Sequence, residues 1–204
     1  MQFDLFEIDS QNSDKSIKLP SGFVYVPNFM DPLYANDAFN YLLSNLSWQQ
    51  PTVEVYGKKH LVPRLQSWMG EVGTHYQYSG KLFESTGWDQ VVFDIKTRAE
   101  KLTKKQFNSA LINLYRDGQD KMGWHADDEK ELGLSPAVVT VSLGIQRTFQ
   151  FKHNIEGETV NLELAHGSLL LMKPGVQASY KHAIPARKKV ERSRISLTFR
   201  NIIN

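Results

Sequence analysis

From Phe107 onward, hydrophobic residues recur at every second position in short runs. The runs are Phe107 to Tyr115, Ala137 to Leu143, Arg147 to Lys152, Val160 to Leu164, Ser168 to Met172, Ser179 to Ile184 and Arg194 to Ile203. Gly144, Asn154, Gly157, His166-Gly167 and Pro174-Gly175 punctuate them. A period of two sends successive side chains to opposite faces, so each run predicts a strand. Seven or eight closely spaced strands predict a jelly-roll type barrel. Upstream the period changes. Asp31-Pro32 supplies an N-cap and a first-turn proline, and Tyr34, Ala38, Tyr41, Leu42 and Leu46 follow at helical spacing, predicting a helix to about Trp48. Trp88, Val91, Val92, Ile95, Ala99 and Leu102 predict a second helix, from about Trp88 to Lys104. Phe23 to Val26 reads as a short strand, Val53 to His60 as a hairpin with a Gly57-Lys58-Lys59 tip, and Pro63 to Gly73 as loop or short strand. Residues 1–20 read as an irregular arm. The fold class is mainly β with flanking helices (α+β).

Composition adds limits. With 204 residues, 41% hydrophobic and 23% charged, the chain suits one globular domain with a sizeable core. A net charge of +2 permits a polyanionic partner without arguing for one. The absence of cysteine excludes disulfides, thiolate metal sites and a cysteine nucleophile. The first residues are acidic, unlike a signal peptide, and no apolar run reaches the roughly 20 residues of a membrane helix. The expectation is a cytoplasmic protein with no membrane partner and no obligate protein partner.

The candidate chemistry sits at the strand ends. If Trp124 to Asp127 is extended, His125 and Asp127 project from one face. His182, on a face shared with Tyr180 and Ile184, is the best placed third ligand. Two histidines and a carboxylate form the facial triad of non-haem Fe(II) oxygenases. Taken alone, a His-x-Asp reads more readily as a solvated loop than as a ligand pair. In the last run Arg194, Ser196, Thr198 and Arg200 share one face and Ile195, Leu197 and Phe199 the other. The polar face suits either water or a barrel lumen in which two arginine forks grip a small dianion. Asn113 and Tyr115, two apart, offer an amide and a phenol to the same anion.

Taken together, Asn113-x-Tyr115, His125-x-Asp127, His182 and Arg194-x-Ser196-Leu-Thr198-Phe-Arg200 resemble the AlkB-type Fe(II) and 2-oxoglutarate dioxygenases, over roughly Pro20 to Asn201. Asp127-Asp128-Glu129 and Ala165-His166-Gly167-Ser168-Leu169 resemble the family too. The resemblance implies a double-stranded β-helix with an N-terminal nucleotide-recognition lid. It implies one domain over 1–204: an arm at 1–20, the lid and hairpin at 50–82 and the barrel core at 107–203. It implies iron on His125, Asp127 and His182, and 2-oxoglutarate on Asn113, Tyr115, Arg194, Thr198 and Arg200. Arg194 would take the distal carboxylate and Arg200 the metal end. Ser196 stands where relatives usually carry asparagine, so a shorter hydroxyl would face the co-substrate.

The same resemblance implies oxidative demethylation of N-alkylated bases, chiefly 1-methyladenine and 3-methylcytosine, with O2 consumed and formaldehyde, succinate and carbon dioxide released. Val55-Tyr56-Gly57-Lys58 with Pro63-Arg64 is similar to the hairpin of the member that works on duplex DNA. Tyr56 would fill the stack vacated by a flipped base, while Lys58, Lys59 and Arg64 neutralise phosphates. Tyr76, Gln77 and Tyr78 resemble the lid, and Asp128 matches a residue that reads the base edge. Alkylated duplex DNA is the favoured partner, with RNA, single-stranded DNA or protein as alternatives for the same chemistry. A base-binding module without turnover is the non-enzymatic alternative. Location would follow the DNA: the nucleoid in a bacterium, the nucleus in a eukaryote. The basic run Arg187-Lys188-Lys189 reads equally as a solvated loop. His60, His75 and His153 carry no chemical assignment, and His166 is assigned to a turn.

Overall fold

The computed structural model describes residues 19–55, 57–78, 81–85 and 87–203. Its strands in chain order begin with β1 (Phe23–Val26), β2 (Thr52–Val55), β3 (Lys58–Leu61), β4 (Leu65–Gly70), β5 (His75–Tyr78) and β6 (Lys81–Glu84). Then come β7 (Ser109–Tyr115), β8 (Met122–His125), β9 (Val138–Gly144), β10 (Arg147–His153) and β11 (Thr159–Leu164). The last are β12 (Ser168–Met172), β13 (Tyr180–Ile184) and β14 (Arg194–Arg200). Six strands form a major sheet in the order β1-β12-β9-β14-β7-β4, and four form a minor sheet, β11-β10-β13-β8. Strands β2-β3 and β5-β6 are separate hairpins. The two larger sheets make the expected double-stranded β-helix.

Helix α1 (Pro32–Asn45) starts where Asp31 accepts the Leu33 and Tyr34 N–H groups. It ends three residues before the expected Trp48. Leu46 turns extended, and the Trp48 indole N–H folds back to donate to the Leu43 carbonyl, satisfying a last-turn acceptor. Helix α2 (Gln90–Thr103) starts at Asp89, which accepts from Val91 and Val92, and ends at Lys104 in the left-handed region. A single turn, α3 (Val176–Ser179), immediately precedes β13.

Strands β7 and β14 are buried at every residue, and β9 at all but its terminal Gly144. Their outer faces (Ala110, Ile112, Leu114; Val139, Val141, Leu143; Ile195, Leu197, Phe199) form one core with Ala38 and Leu42 of α1 and Ile95 and Ala99 of α2. A second core, including Phe23, Phe149, Phe151, Leu170 and Met172, fills part of the interior. The rest of the interior is polar and holds the site.

The division of the chain differs from the one expected. Strands β1 and β4 lie outside 107–203 yet flank the major sheet, pairing with β12 and β7. The stretch Leu65–Gly70 is therefore barrel rather than lid. Lys58 and Lys59 begin β3 rather than forming the hairpin tip. Residues 1–18 of the arm lie outside the described residues.

Candidate metal and dicarboxylate site

Sheet register brings the two histidines together. Strands β8 and β13 run antiparallel with His125 directly opposite His182, and the ring centroids are 4.1 Å apart. Asp127 follows two residues after His125, just beyond the strand. The ligating atoms of His125, Asp127 and His182 all lie within 4.8 Å of one another. The His125 Nδ1–H donates to the Gly123 carbonyl at 2.9 Å, which leaves Nε2 as the ring nitrogen available to a metal. The His182 ring stacks on Phe149, and its Nε2 is 3.7 Å from Asp127 Oδ2. Burial first, then the neighbouring His125, lowers the His182 pKa to about 3 despite Asp127, so its imidazole is neutral, as a ligand must be.

Asp127 is held from two sides. Its backbone N–H donates to Gln177 Oε1 at 2.9 Å, and its Oδ1 accepts from Arg200 Nη2 at 2.5 Å. Burial pushes this carboxyl up, but the Arg200 guanidinium foremost pulls it below the usual carboxylate range. It is therefore an anion, and its buried Oδ2 has no hydrogen-bond partner. An unsatisfied carboxylate oxygen beside two imidazoles is the arrangement a divalent cation completes. The donor set fits Fe(II).

Across the cavity a second unmet charge waits. Arg194 is 1% exposed, and among the described residues no carboxylate pairs with it. One nitrogen, Nη2, donates to Ser142 Oγ at 2.8 Å and lies 3.4 Å from Ser196 Oγ. Nε and Nη1 are buried without a partner. Burial lowers its pKa to about 10, opposed by Tyr115, over whose ring the guanidinium lies at 5.3 Å, so it remains a cation. A buried cation with idle N–H groups fits a carboxylate of a dianion. A cavity is lined by the three ligands and by Asn113, Tyr115, Arg194, Ser196, Thr198 and Arg200. The interior is therefore the lumen alternative for β14, not the solvated one.

The substrate residues named from sequence are not all gathered here. Gly57 is exposed at a positive φ of 74° between β2 and β3, and Lys58 is exposed beside it. Tyr56 lies outside the described residues. Tyr76, Gln77 and Tyr78 fall on β5. Asp128 is exposed, one residue from the ligand Asp127. Arg64 is corrected: it is 3% exposed and its Nε donates to Asn113 Oδ1 at 2.8 Å, so it cannot serve as a surface phosphate contact. His166 lies in the turn between β11 and β12 and accepts the Gly144 N–H at Nδ1, 2.9 Å away.

Three supporting residues went unnoticed in the sequence. Gln177 holds the Asp127 backbone. Ser142 holds Arg194. Arg147, also 1% exposed, donates to the carbonyls of Asp117, Asp120 and Pro185 at 2.8–2.9 Å, tying two loops at the rim. The signal for Arg147 was present, since it is in phase with the buried Phe149 and Phe151 on β10. Nothing in the local pattern marks Gln177.

Comparison with known proteins agrees with this chemistry. The family model of the 2OG-Fe(II) oxygenase superfamily matches residues 22–200. The chain is 42% identical over 159 residues to the DNA oxidative demethylase ALKBH2 of Bos taurus, covering 74% of this chain and 57% of that protein. It is 34% identical to the alpha-ketoglutarate-dependent dioxygenase alkB homolog 3 of Homo sapiens, covering 86% of this chain and 64% of that one. The Arabidopsis thaliana ALKBH2 is 32% identical, with 94% of this chain and 70% of the relative covered. The chain spans about three fifths of the length of the mammalian relatives it matches. Two solved structures share the fold at a TM-score of 0.62. One is OsALKBH1 (16% identity, covering 90% of this chain and 99% of that one) and the other a Trichoplax adhaerens prolyl hydroxylase with a peptide (12%, 89% and 83%). On the family match and the Arabidopsis relative, with a His-Asp-His triad in its interior, the chain belongs to the 2OG-Fe(II) oxygenase superfamily, among its AlkB-type members.

Proposed function

We propose that this protein is an oxidative demethylase that directly repairs N-alkylated bases in DNA, 1-methyladenine and 3-methylcytosine above all, with duplex DNA favoured. The observation that carries the reading is the pairing of unmet charges: an unpartnered Asp127 oxygen among two histidines, and an Arg194 guanidinium with two unpartnered nitrogens, both lining one cavity. The names of the ALKBH2 relatives support the DNA substrate.

His125, Asp127 and His182 would hold the iron, which, with 2-oxoglutarate and O2, supplies oxidation of the N-methyl carbon to formaldehyde, with succinate and carbon dioxide as co-products. Arg194 receives the distal carboxylate, with Ser142, Ser196 and Tyr115 fixing its plane. Asn113, Tyr115 and Thr198 line the path between. Arg200 holds Asp127 ionised and aimed at the metal position. The cavity walls exclude water and place the co-substrate, and placement is the larger part of what the protein contributes. Outside the cavity, Tyr56, Gly57 and Lys58 of the hairpin would fill the gap left by a flipped base and meet its phosphates. Tyr76 and Tyr78, with Gln77 between them in the substrate-binding stretch, would stack on the base, and the Asp128 carboxylate would meet its positively charged alkylated ring.

The test is formaldehyde release and 2-oxoglutarate consumption with methylated duplex and single-stranded oligonucleotides. Stimulated turnover on the duplex is expected; no formaldehyde from either would refute repair. Tyr56→Ala should weaken action on duplex more than on single strands, and equal losses would remove the wedge.

A further inference from the structure

The 2-oxoglutarate site just proposed requires Asn113 to present amide hydrogens, not its carbonyl, to a carboxylate. An asparagine on its own turns either end to a ligand. Here the choice is made by residues that are not among those lining the cavity. Arg64 Nε lies 2.8 Å from one terminal atom of Asn113, and a guanidinium only donates, so that atom is the oxygen. The same oxygen lies 2.9 Å from the side-chain amide of Gln66, which must therefore show its nitrogen. Gln66 stands directly opposite Asn113 on the neighbouring strand, so sheet register fixes the pair. All three side chains are buried. With Oδ1 taken by two donors, only Nδ2 and its two hydrogens remain for the cavity.

Arg64 also stands at a junction. Residues 62–64 lead from β3 of the hairpin into β4. The Pro63 carbonyl accepts the Lys121 N–H at 3.0 Å, and Arg64 Nη1 donates to the Lys121 carbonyl at 3.4 Å, immediately before the ligand-bearing β8. One guanidinium thus touches Asn113 and the root of the iron-binding strand, at the exit of the hairpin proposed to meet DNA.

We propose that Arg64 and Gln66 are positioning residues that commit Asn113 as a hydrogen-bond donor to a carboxylate of 2-oxoglutarate, making co-substrate affinity depend on the segment joining hairpin to barrel. This rests on the co-substrate reading above. The test is 2-oxoglutarate binding to zinc-loaded protein, in which no oxidation occurs, by calorimetry, alongside binding of a methylated duplex. Gln66→Leu and Arg64→Met should each weaken 2-oxoglutarate binding about fivefold to tenfold, the scale of one buried hydrogen bond, while leaving duplex affinity within twofold. Unchanged 2-oxoglutarate affinity, or a loss confined to the duplex, overturns the proposal. Should a variant fail to fold, the wild type still decides. Its Asn113 side-chain NH2 resonances should shift when 2-oxoglutarate saturates, and resonances that stay put overturn the assignment. A wild type that binds no 2-oxoglutarate at all refutes the underlying function, and this proposal with it.

Discussion

Strand β14 has two faces, and both are closed to solvent. Ile195, Leu197 and Phe199 are fully buried against the helices, while Arg194, Ser196, Thr198 and Arg200 are 1–7% exposed on the cavity side. The physics of the two faces is opposite. On the outer face burial itself stabilises, at about 25 cal/mol per Å² of apolar surface. On the inner face each buried guanidinium loses hydration, and that loss is only partly offset within the protein. Arg200 is offset by Asp127, whereas Arg194 has one nitrogen on serine hydroxyls and two with nothing. A face left electrostatically incomplete is one that awaits a ligand. The outer face is finished when the chain folds, and the inner one is not.

That contrast can be broken by substitution. The largest effect belongs to the triad: His182→Ala should abolish formaldehyde release, by 1000-fold or about 4 kcal/mol or more, while the duplex still binds. Retained turnover would remove His182 from the metal. Next comes the outer face. Leu197→Ala should destabilise the fold by about 2–5 kcal/mol in denaturant melts, with 2-oxoglutarate affinity kept below the transition. Arg194→Gln should do the reverse, weakening 2-oxoglutarate binding about 100-fold, or about 2.7 kcal/mol, with stability unchanged or slightly raised once the unpaired charge is gone. Equal stability losses from Leu197→Ala and Arg194→Gln would mean that both faces are merely structural.

How far the sequence went follows from the same contrast. Alternation in Arg194–Arg200 shows that two faces differ, but not whether the polar one meets water or a closed lumen. That is decided by what the other sheet brings opposite, which no local pattern carries. The helices were legible because their caps, Asp31 and Asp89, are local devices. The gathering of His125 and His182 was legible only as a motif order, since their register depends on β8 pairing with β13. A basic residue beside a basic hairpin looks like a phosphate contact, yet Arg64 is buried. Its burial comes from β4 joining the major sheet beside Asn113, a non-local pairing. Gln177 contributes through a contact fifty residues away and leaves no trace nearby.

The smallest predicted effect lies at the edge of the inner face. Gly144 stands opposite Arg194 at the end of β9, and its N–H donates to His166 Nδ1. Gly144 is confined there: φ is +90°, and a Cβ would meet the Ser193 carbonyl at 2.5 Å and the Phe39 ring at 2.7 Å. Burial lowers the His166 pKa from its ordinary value, and protonation of Nδ1 would remove the acceptor that Gly144 uses. The folded chain thus binds this proton less readily than the unfolded one. The corresponding stability is fully present above about pH 6.5 and is lost as the pH falls below that toward the folded value. His166→Gln, whose amide oxygen can still accept the Gly144 N–H, should flatten the acid arm of a Tm-against-pH profile between pH 6.5 and 5, and leave pH 8 nearly unchanged. Identical acid slopes in the two proteins would make His166 a solvated turn residue and leave Ser142 and Ser196 as the side chains that hold the frame around Arg194.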